Sequence, residues 1–294
     1  MNAAQAQEKL NTFLIVNSAT RLAVPSVSVA IVKAKLAITT EHDGIFSIPG
    51  DLVKMRDTVI LSAQNYTSLK LLLHKLDGID TTYLSRTPVD STSFRPELKT
   101  DSLLNDFDRR DIVHYAGVHT ETSLFENLQL AQQFDVSRYG VLLKGLIINR
   151  LAFVVGPDLA GMETTTFRVR VYDVDSLTGG PGKDLCNYLV EIKDKDNRQF
   201  RVNLSRYNII VPNKTFFVAI EWLRDFRNMG YTMVYDDKLR RDVQTVNYRP
   251  AIGISPVKGS KLNIWAMNFK RKWKPYTYFS PDYTDLAIKA RIAY

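Results

Sequence analysis

The side chains that could carry chemistry are few and widely spaced. Four histidines occur, His42, His74, His114 and His119. A zinc hydrolase needs a His and Glu ligand pair three residues apart, a second His far downstream and a general-base Glu. None of the four has that setting. His114 and His119 with Glu121 come nearest, but their spacing matches neither a helical face nor a zinc motif, so they are taken as surface or strand-edge residues. The single cysteine, Cys186, has no accompanying His motif, and no G-x-S-x-G elbow occurs. It is expected to fill apolar space at the start of a strand. Gly179-Gly180-Pro181-Gly182-Lys183 looks like a phosphate loop, but Pro181 removes a backbone donor and no helical pattern follows to supply a dipole, so it is taken as a loop between strands. Asp173, Asp175 and Asp184 flank that loop and could supply hard oxygen ligands to Ca²⁺, although aspartates at strand ends also cap turns. No catalytic residue, cofactor or metal ligand is assigned.

Two features suit binding. Lys270-Arg271-Lys272-Trp273-Lys274, with Tyr276, Tyr278 and Phe279 after it, interleaves cations and aromatic rings. That pattern suits stacking on bases or sugar rings together with contact to anionic groups. The competing reading, which weighs more, is a solvated hairpin followed by a core strand whose aromatics alternate inward. Lys270, Arg271, Lys272, Trp273, Lys274 and Tyr276 are therefore the candidate ligand or polyanion surface. The second feature is Trp222, Trp265 and Tyr231, a sugar platform if exposed, although Trp222 within residues 218–223 reads as core. No recognition helix or aromatic ribonucleoprotein strand occurs, so no nucleic-acid partner is expected.

The charge is placed unevenly. The 294 residues carry 39 Lys and Arg against 31 Asp and Glu, a formal +8. Residues 1–110 hold 13 basic and 12 acidic side chains, and residues 111–294 hold 26 and 19, so the excess belongs to the second part. A basic surface attracts nucleic acid, anionic glycan and lipid headgroups alike and selects none of them. Hydrophobic residues at 45% and charged ones at 24% exclude a mostly disordered, collagenous or coiled-coil chain. One cysteine excludes an intramolecular disulfide. The longest apolar stretch, residues 147–155, is broken by Asn149 and Arg150, and none approaches the roughly 20 residues of a membrane helix. At the N-terminus, Ala4-Gln5-Ala6 has the small-x-small pattern of a signal-peptidase site, so residues 1–9 are read as a trimmed signal remnant or disordered terminus.

The elements that must position these residues are strands. Residues 13–16, 27–32, 45–48, 58–61 and 69–73 are short β-branched and aromatic runs, punctuated by Pro25, Asp43-Gly44, Pro49-Gly50 and Asn65. Strands at this spacing without helical periodicity indicate a small antiparallel sandwich or barrel over residues 10–85. Residues 86–112 are polar, Pro-containing and then charged, and form the expected linker, with Leu98, Leu103, Leu104 and Phe107 compatible with a short helix. From 113 to 294 longer strands resume at 141–148, 151–155, 166–174, 188–192, 200–204, 216–222, 231–235, 262–267 and 286–292. They suit one larger jelly-roll-like β-sandwich.

Val24-Pro25-Ser26-Val27-Ser28-Val29, Thr40-Glu41-His42-Asp43-Gly44-Ile45-Phe46-Ser47-Ile48 and Asp57-Thr58-Val59-Ile60-Leu61-Ser62 with Asn65-Tyr66 carry a family pattern. Residues 10–85 resemble the carboxypeptidase regulatory-like domain, a transthyretin-like (prealbumin-like) β-sandwich that commonly leads exported Bacteroidetes proteins, TonB-dependent receptors included. Two departures stand out: the usual first-strand Gly is replaced around residues 13–15, and the usual Gly before Tyr66 is Asn65, which tolerates left-handed φ. The stretches 167–175, 179–185, 202–209 and 216–223 resemble the uncharacterised C-terminal region often found behind that module. The resemblance implies an all-β fold and export to the periplasm, outer membrane or cell surface, and no chemistry. The function expected is a non-catalytic cell-envelope interaction or structural protein, with an envelope protein or a glycan as partner. A carbohydrate-binding sandwich and an enzyme with an unfamiliar site are the alternatives.

Overall fold

A computed structural model describes residues 10–87, 101–119, 127–150, 164–186, 189–195, 198–224, 228–236, 239–257 and 259–294, without the side chains of 118, 119, 195, 231–236 and 244–247. The expected signal remnant, the strand at 151–155 and Glu121 lie outside the described residues. The chain divides into two units, Met1–Asp90 and Ser91–Tyr294. Both are β-sandwiches, and no helix among the described residues is long and apolar enough to cross a membrane.

The first unit holds β1 (Leu10–Asn17), β2 (Ser28–Ile31), β3 (Leu36–Thr39), β4 (Ile45–Pro49), β5 (Thr58–Ser62), β6 (Leu69–Leu72) and β7 (Thr81–Leu84). A three-stranded sheet β4-β1-β7 faces a four-stranded sheet β3-β2-β5-β6. Alternation sends Phe13, Ile15, Phe46 and Ile48 from the first sheet and Val29, Ile31, Val59 and Leu61 from the second into one core. Pairing is antiparallel except for β1 with β7. The turns are held by specific polar groups. Asp57, 1% exposed, accepts the backbone N–H groups of Lys33, Ala34 and Thr58 and so fixes the β2–β3 turn. Asn65 adopts φ +66, the left-handed conformation anticipated for it. Gly44 ends the β3–β4 turn at φ +69, where a Cβ would lie 2.6 Å from the carbonyl oxygen of Ile15.

The second unit runs through β8 (Asp101–Leu104), β9 (Tyr115–His119), β10 (Gln129–Asp135), β11 (Val141–Asn149), β12 (Thr164–Val174), β13 (Pro181–Asp184), β14 (Glu191–Lys195), β15 (Gln199–Asn203), β16 (Ile209–Val211), β17 (Thr215–Trp222), β18 (Met229–Asp236), β19 (Arg241–Gly253), β20 (Ile264–Met267), β21 (Trp273–Pro275) and β22 (Ile288–Ala293). A seven-stranded sheet has the order β13-β12-β17-β10-β20-β21, with β14 also on β12. Opposite it, β15 and β16 pair with β11, followed by β22 and β8. A third sheet, β18-β19-β9, contributes Ala116 and Ile252 to the shared core. The chain passes repeatedly between the sheets, so that core is closed by non-local pairings, Leu130, Val169 and Val218 facing Leu146, Ile148 and Ile288.

The linker expectation needs correction at its C-terminal end. Residues 101–104 form not a helix but an edge strand, with Leu103 opposite Arg291 and Leu104 opposite Ala290. Phe107 and Ile112 are buried with Ala287, so this stretch belongs to the second unit. Its alternation of exposed and half-buried residues is that of a short edge strand, and the charges around it read as polarity until the partner strand is known.

Gly44→Ala should destabilise the first unit by about 2 kcal/mol or more, since left-handed strain adds to the clash with Ile15. Gly78→Ala, at φ +74 with open space, carries the strain alone and should cost about 1 kcal/mol. Amide exchange at Ile15 and Val29 in the intact chain measures both, and equal losses would contradict the close-approach argument.

Candidate functional site

Strand alternation gives the seven-stranded sheet two unlike faces. Phe167, Val169 and Val171 of β12, Leu130 and Phe134 of β10, and Phe216, Val218 and Ile220 of β17 enter the core. Their neighbours point the other way, and cross-strand register arranges them in rows. Arg168, Glu221, Gln129, Met267 and Trp273 form one row, and Arg170, Ala219, Ala131 and Trp265 the next. Tyr172 and Trp273 sit on strands four places apart, about 19 Å in a flat sheet. Their rings are nevertheless 5.4 Å apart, edge to face. The sheet therefore curls into a half-barrel, and this second face is its concave interior.

The interior is polar at one end and aromatic at the other. Arg168, 1% exposed, reaches Glu221 and Glu191 at 3.7 Å each. Arg170 donates to the same Glu221 oxygen at 3.1 Å and pairs with Asp184. Tyr172 donates its hydroxyl to Gln129 Oε1 at 2.9 Å, and Gln129 Nε2, fully buried, has no hydrogen-bond partner among the described residues. Burial drives the Glu221 carboxyl up, but the charges of Arg170, Arg168 and Arg271 outweigh it and hold Glu221 below its ordinary value. Burial raises the Tyr172 phenol well above its usual range, so it stays a donor. At the aromatic end, Tyr172, Phe217, Trp265 and Trp273 cover Ala131 and Ala219. Gly180 lies so close to Trp265 that a Cβ would meet the ring at 2.6 Å, so the loop after β12 closes over the indole.

The candidate surface at 270–276 is split by the structure. A tight turn at Asn268–Lys272, with Arg271 at φ +57, joins β20 to β21. Lys270, Lys272 and Lys274 are exposed, and Trp273 is half-buried against Tyr172. Arg271 is half-buried and lies close enough to depress Glu221. Tyr276 is 7% exposed and packs against Tyr278 and Phe279, with burial raising its phenol. It does not share an exposed surface with the lysines, because its ring is buried in the shared core. The proposed platform does not assemble either. Trp222 faces the core and donates to Pro250 O at 2.7 Å, Trp265 faces the half-barrel, and the side chain of Tyr231 lies outside the described residues.

The remaining candidates disperse. His42 and His74 are exposed in the first unit, His114 is exposed with its ring 4.8 Å from that of Tyr283, and the side chain of His119 lies outside the described residues. Asp173 accepts from Asn213, Asp175 caps its own turn through Leu177 and Thr178, and Asp184 pairs with Arg170. Among the described residues no three His, Cys, Asp or Glu side chains are grouped to hold a metal. Cys186 is buried in the core, accepts the Val171 N–H at 3.2 Å, and has its thiol pushed up to about 12, first by burial and then by Asp184. The buried network was not anticipated from sequence. Its one signal was Arg168 and Arg170 alternating with Phe167, Val169 and Val171 on a strand long enough to be buried on both faces.

The fold and this face define an all-β protein of two sandwiches. No family model matches the chain, and no curated protein matches it. Among solved structures, the cysteine protease and lectin-like domains of a surface layer associated protein of Clostridium difficile align with 91% of this chain and 58% of theirs, at 12% identity and a TM-score of 0.35. A second structure of that protease, after propeptide cleavage, aligns with 99% and 72% at 12% identity and 0.36. The T13 viral particle of IBDV aligns with 97% and 57% at 7% identity and a TM-score of 0.21. The chain thus spans about three fifths of the first of these structures.

Two outcomes follow from the buried groups. Glu221→Gln leaves two buried guanidiniums short of their shared carboxylate and should destabilise the second unit by about 3 kcal/mol at neutral pH. Because the folded pKa lies below the unfolded one, this stabilisation is full above about pH 4.5 and lost as pH falls through the folded value. Tryptophan-monitored urea titrations should therefore show the gap to the wild type narrowing in acid; a gap that holds constant contradicts the pairing. Cys186 should react with a thiol reagent at pH 8 only after urea unfolds the second unit, since a buried thiol supplies little thiolate.

Proposed function

We propose that the chain is a non-catalytic interaction protein of the cell envelope whose second unit binds glycans at the β20–β21 hairpin. The observation that carries this reading is Trp273, half-buried and braced edge-on by Tyr172 at 5.4 Å, with Lys270, Lys272 and Lys274 exposed on the same hairpin. A rigidly backed indole offers a sugar ring a flat apolar face, and neighbouring ammonium groups supply donors to its hydroxyls. The brace is itself fixed, because the Tyr172 hydroxyl is tied to Gln129 in the polar end of the half-barrel.

The first unit, in this proposal, is a structural or docking module of the carboxypeptidase regulatory-like type, and the protein is exported to the periplasm, outer membrane or cell surface. The Asn65 turn at φ +66 supports that reading, because it keeps the left-handed position the family fills with glycine.

Neutral oligosaccharides presented on a surface test the hairpin directly. The wild type should bind a subset of them. Trp273→Ala should weaken that binding about tenfold, the loss of one stacked ring. Tyr172→Phe should weaken it less, since the ring survives and only its anchor is lost. Retention of the same glycans by Trp273→Ala would overturn the assignment.

A further inference from the structure

The outer face of the five-stranded sheet carries a second concavity, remote in register from the half-barrel. At its floor lies Gly145. β11 shifts register against β22 between Leu143 and Gly145, and the bulge turns both Lys144 and Gly145 to the outer face. A side chain at 145 cannot exist there, because its Cβ would stand 2.7 Å from the carbonyl oxygen of Val202. The result is a groove of about 320 Å³ over a backbone floor.

Its walls are cationic. Gly145 is opposite Asn203 on β15 and Arg291 on β22, and Ile147 is opposite Arg201. The two arginines thus stand on either side of β11, roughly 12 Å apart across two strand spacings and one row. Both are exposed, and among the described residues neither is ion-paired. Lys144 adds a third cation and meets Asp101 at 3.1 Å, the one carboxylate among the described residues lining the groove. Asn203 accepts from the Ser205 N–H through Oδ1, which leaves its amide group to donate.

We infer that this groove binds the acidic sugar residues of an anionic polysaccharide. Three features choose that ligand among polyanions. Two unpaired guanidinium forks match the geometry of carboxylate or sulfate groups. The floor is the face of the paired β11 ladder between β15 and β22, so an acidic peptide lying in the groove finds no free backbone groups beneath it on β11 to bind by adding a strand. Among the described residues no aromatic ring lines the groove, so none of them offers the stacking a single-stranded nucleic acid uses. The groove is a site separate from the hairpin, and it does not depend on that reading.

The test uses the full chain and oligogalacturonate as probe, with calorimetry as the readout. The wild type should bind it, the affinity should fall as salt is raised, and Arg201→Gln with Arg291→Gln should weaken it by about tenfold or more. Both side chains are exposed, so an unchanged melting temperature keeps the variant interpretable. Trp273→Ala should leave this binding intact. No binding by the wild type, or equal binding by the double variant, overturns the inference. So does poly-glutamate binding as tightly as oligogalacturonate. Loss on Trp273→Ala with retention by the double variant returns the acidic glycan to the hairpin and also overturns it. Failure of neutral glycans to bind the hairpin, by contrast, leaves the groove untouched.

Discussion

The second unit depends on how it tolerates charge inside a sheet that is buried on both faces. β12, β17 and β10 have the shared core on one side and the curled interior on the other. Arg168, Arg170 and Glu221 are all at most 8% exposed. Isolated charges at such depth would cost several kcal/mol each, so they persist only as a mutually neutralising set. Glu221 is central because one of its oxygens faces both arginines. Asp184 and Glu191 then serve the outer ends, and each comes from a strand that, among the described residues, pairs only with β12. The short β13 and β14 are thus retained by the need to bring carboxylates to β12, beyond their few ladder hydrogen bonds. Paired charges of this kind add little net stability over apolar groups, but a one-residue slip of β12 would put both arginines into the apolar core. The network therefore specifies register, and register is what aligns Tyr172 beneath Trp273.

Much of the architecture was legible as periodicity. The strands at 13–16, 27–32, 45–48 and 58–61 are short β-branched and aromatic runs between turn signals, and the structure places β1, β2, β4 and β5 there. Two of the strands that escaped notice, β10 and β19, share one physical property, polar residues on an otherwise paired strand. β10 reads Gln-Leu-Ala-Gln-Gln-Phe-Asp, yet Gln132 is 1% exposed because its amide donates to Asp285 and its carbonyl accepts from Leu286, more than 150 residues away. β19 is the longest strand and contains Arg241, Asp242, Gln244, Asn247 and Arg249, which broke every apolar pattern. No local signal reports that a partner at such separation exists. The first unit was easier because its turns are chemically marked by Asp43-Gly44 and Asn65.

The candidate site was legible in part for the same reason. Lys270, Lys272, Lys274 and Trp273 were found because they are neighbours in sequence on one hairpin. Tyr276 was grouped with them by proximity along the chain, and the structure separates it by burying its ring in the shared core while the lysines stay exposed. The half-barrel interior and the groove over Gly145 are products of register among strands drawn from across the chain. Arg201 and Arg291 are 90 residues apart in sequence and meet only because β15 and β22 flank β11.

The positive charge of the second part of the chain can now be divided by what the structure does with it. Arg168 and Arg170 are consumed in the interior, where they neutralise carboxylates and present nothing to solvent. Lys289 and Lys144 are drawn to Asp106 and Asp101 at the surface. Surface pairs of that kind are weak and screened by salt, so an anion can displace them. Arg201 and Arg291 are the guanidiniums left facing water beside a hollow that a glycine keeps open. Net charge alone favours every polyanion equally. A backbone floor, two forks and no stacking ring narrow that preference, because they reward a ligand whose charges are planar, spaced and carried on a hydroxylated ring. The bulge at Lys144–Gly145 is thus both the register shift of β11 against β22 and the opening that keeps its outer face hollow.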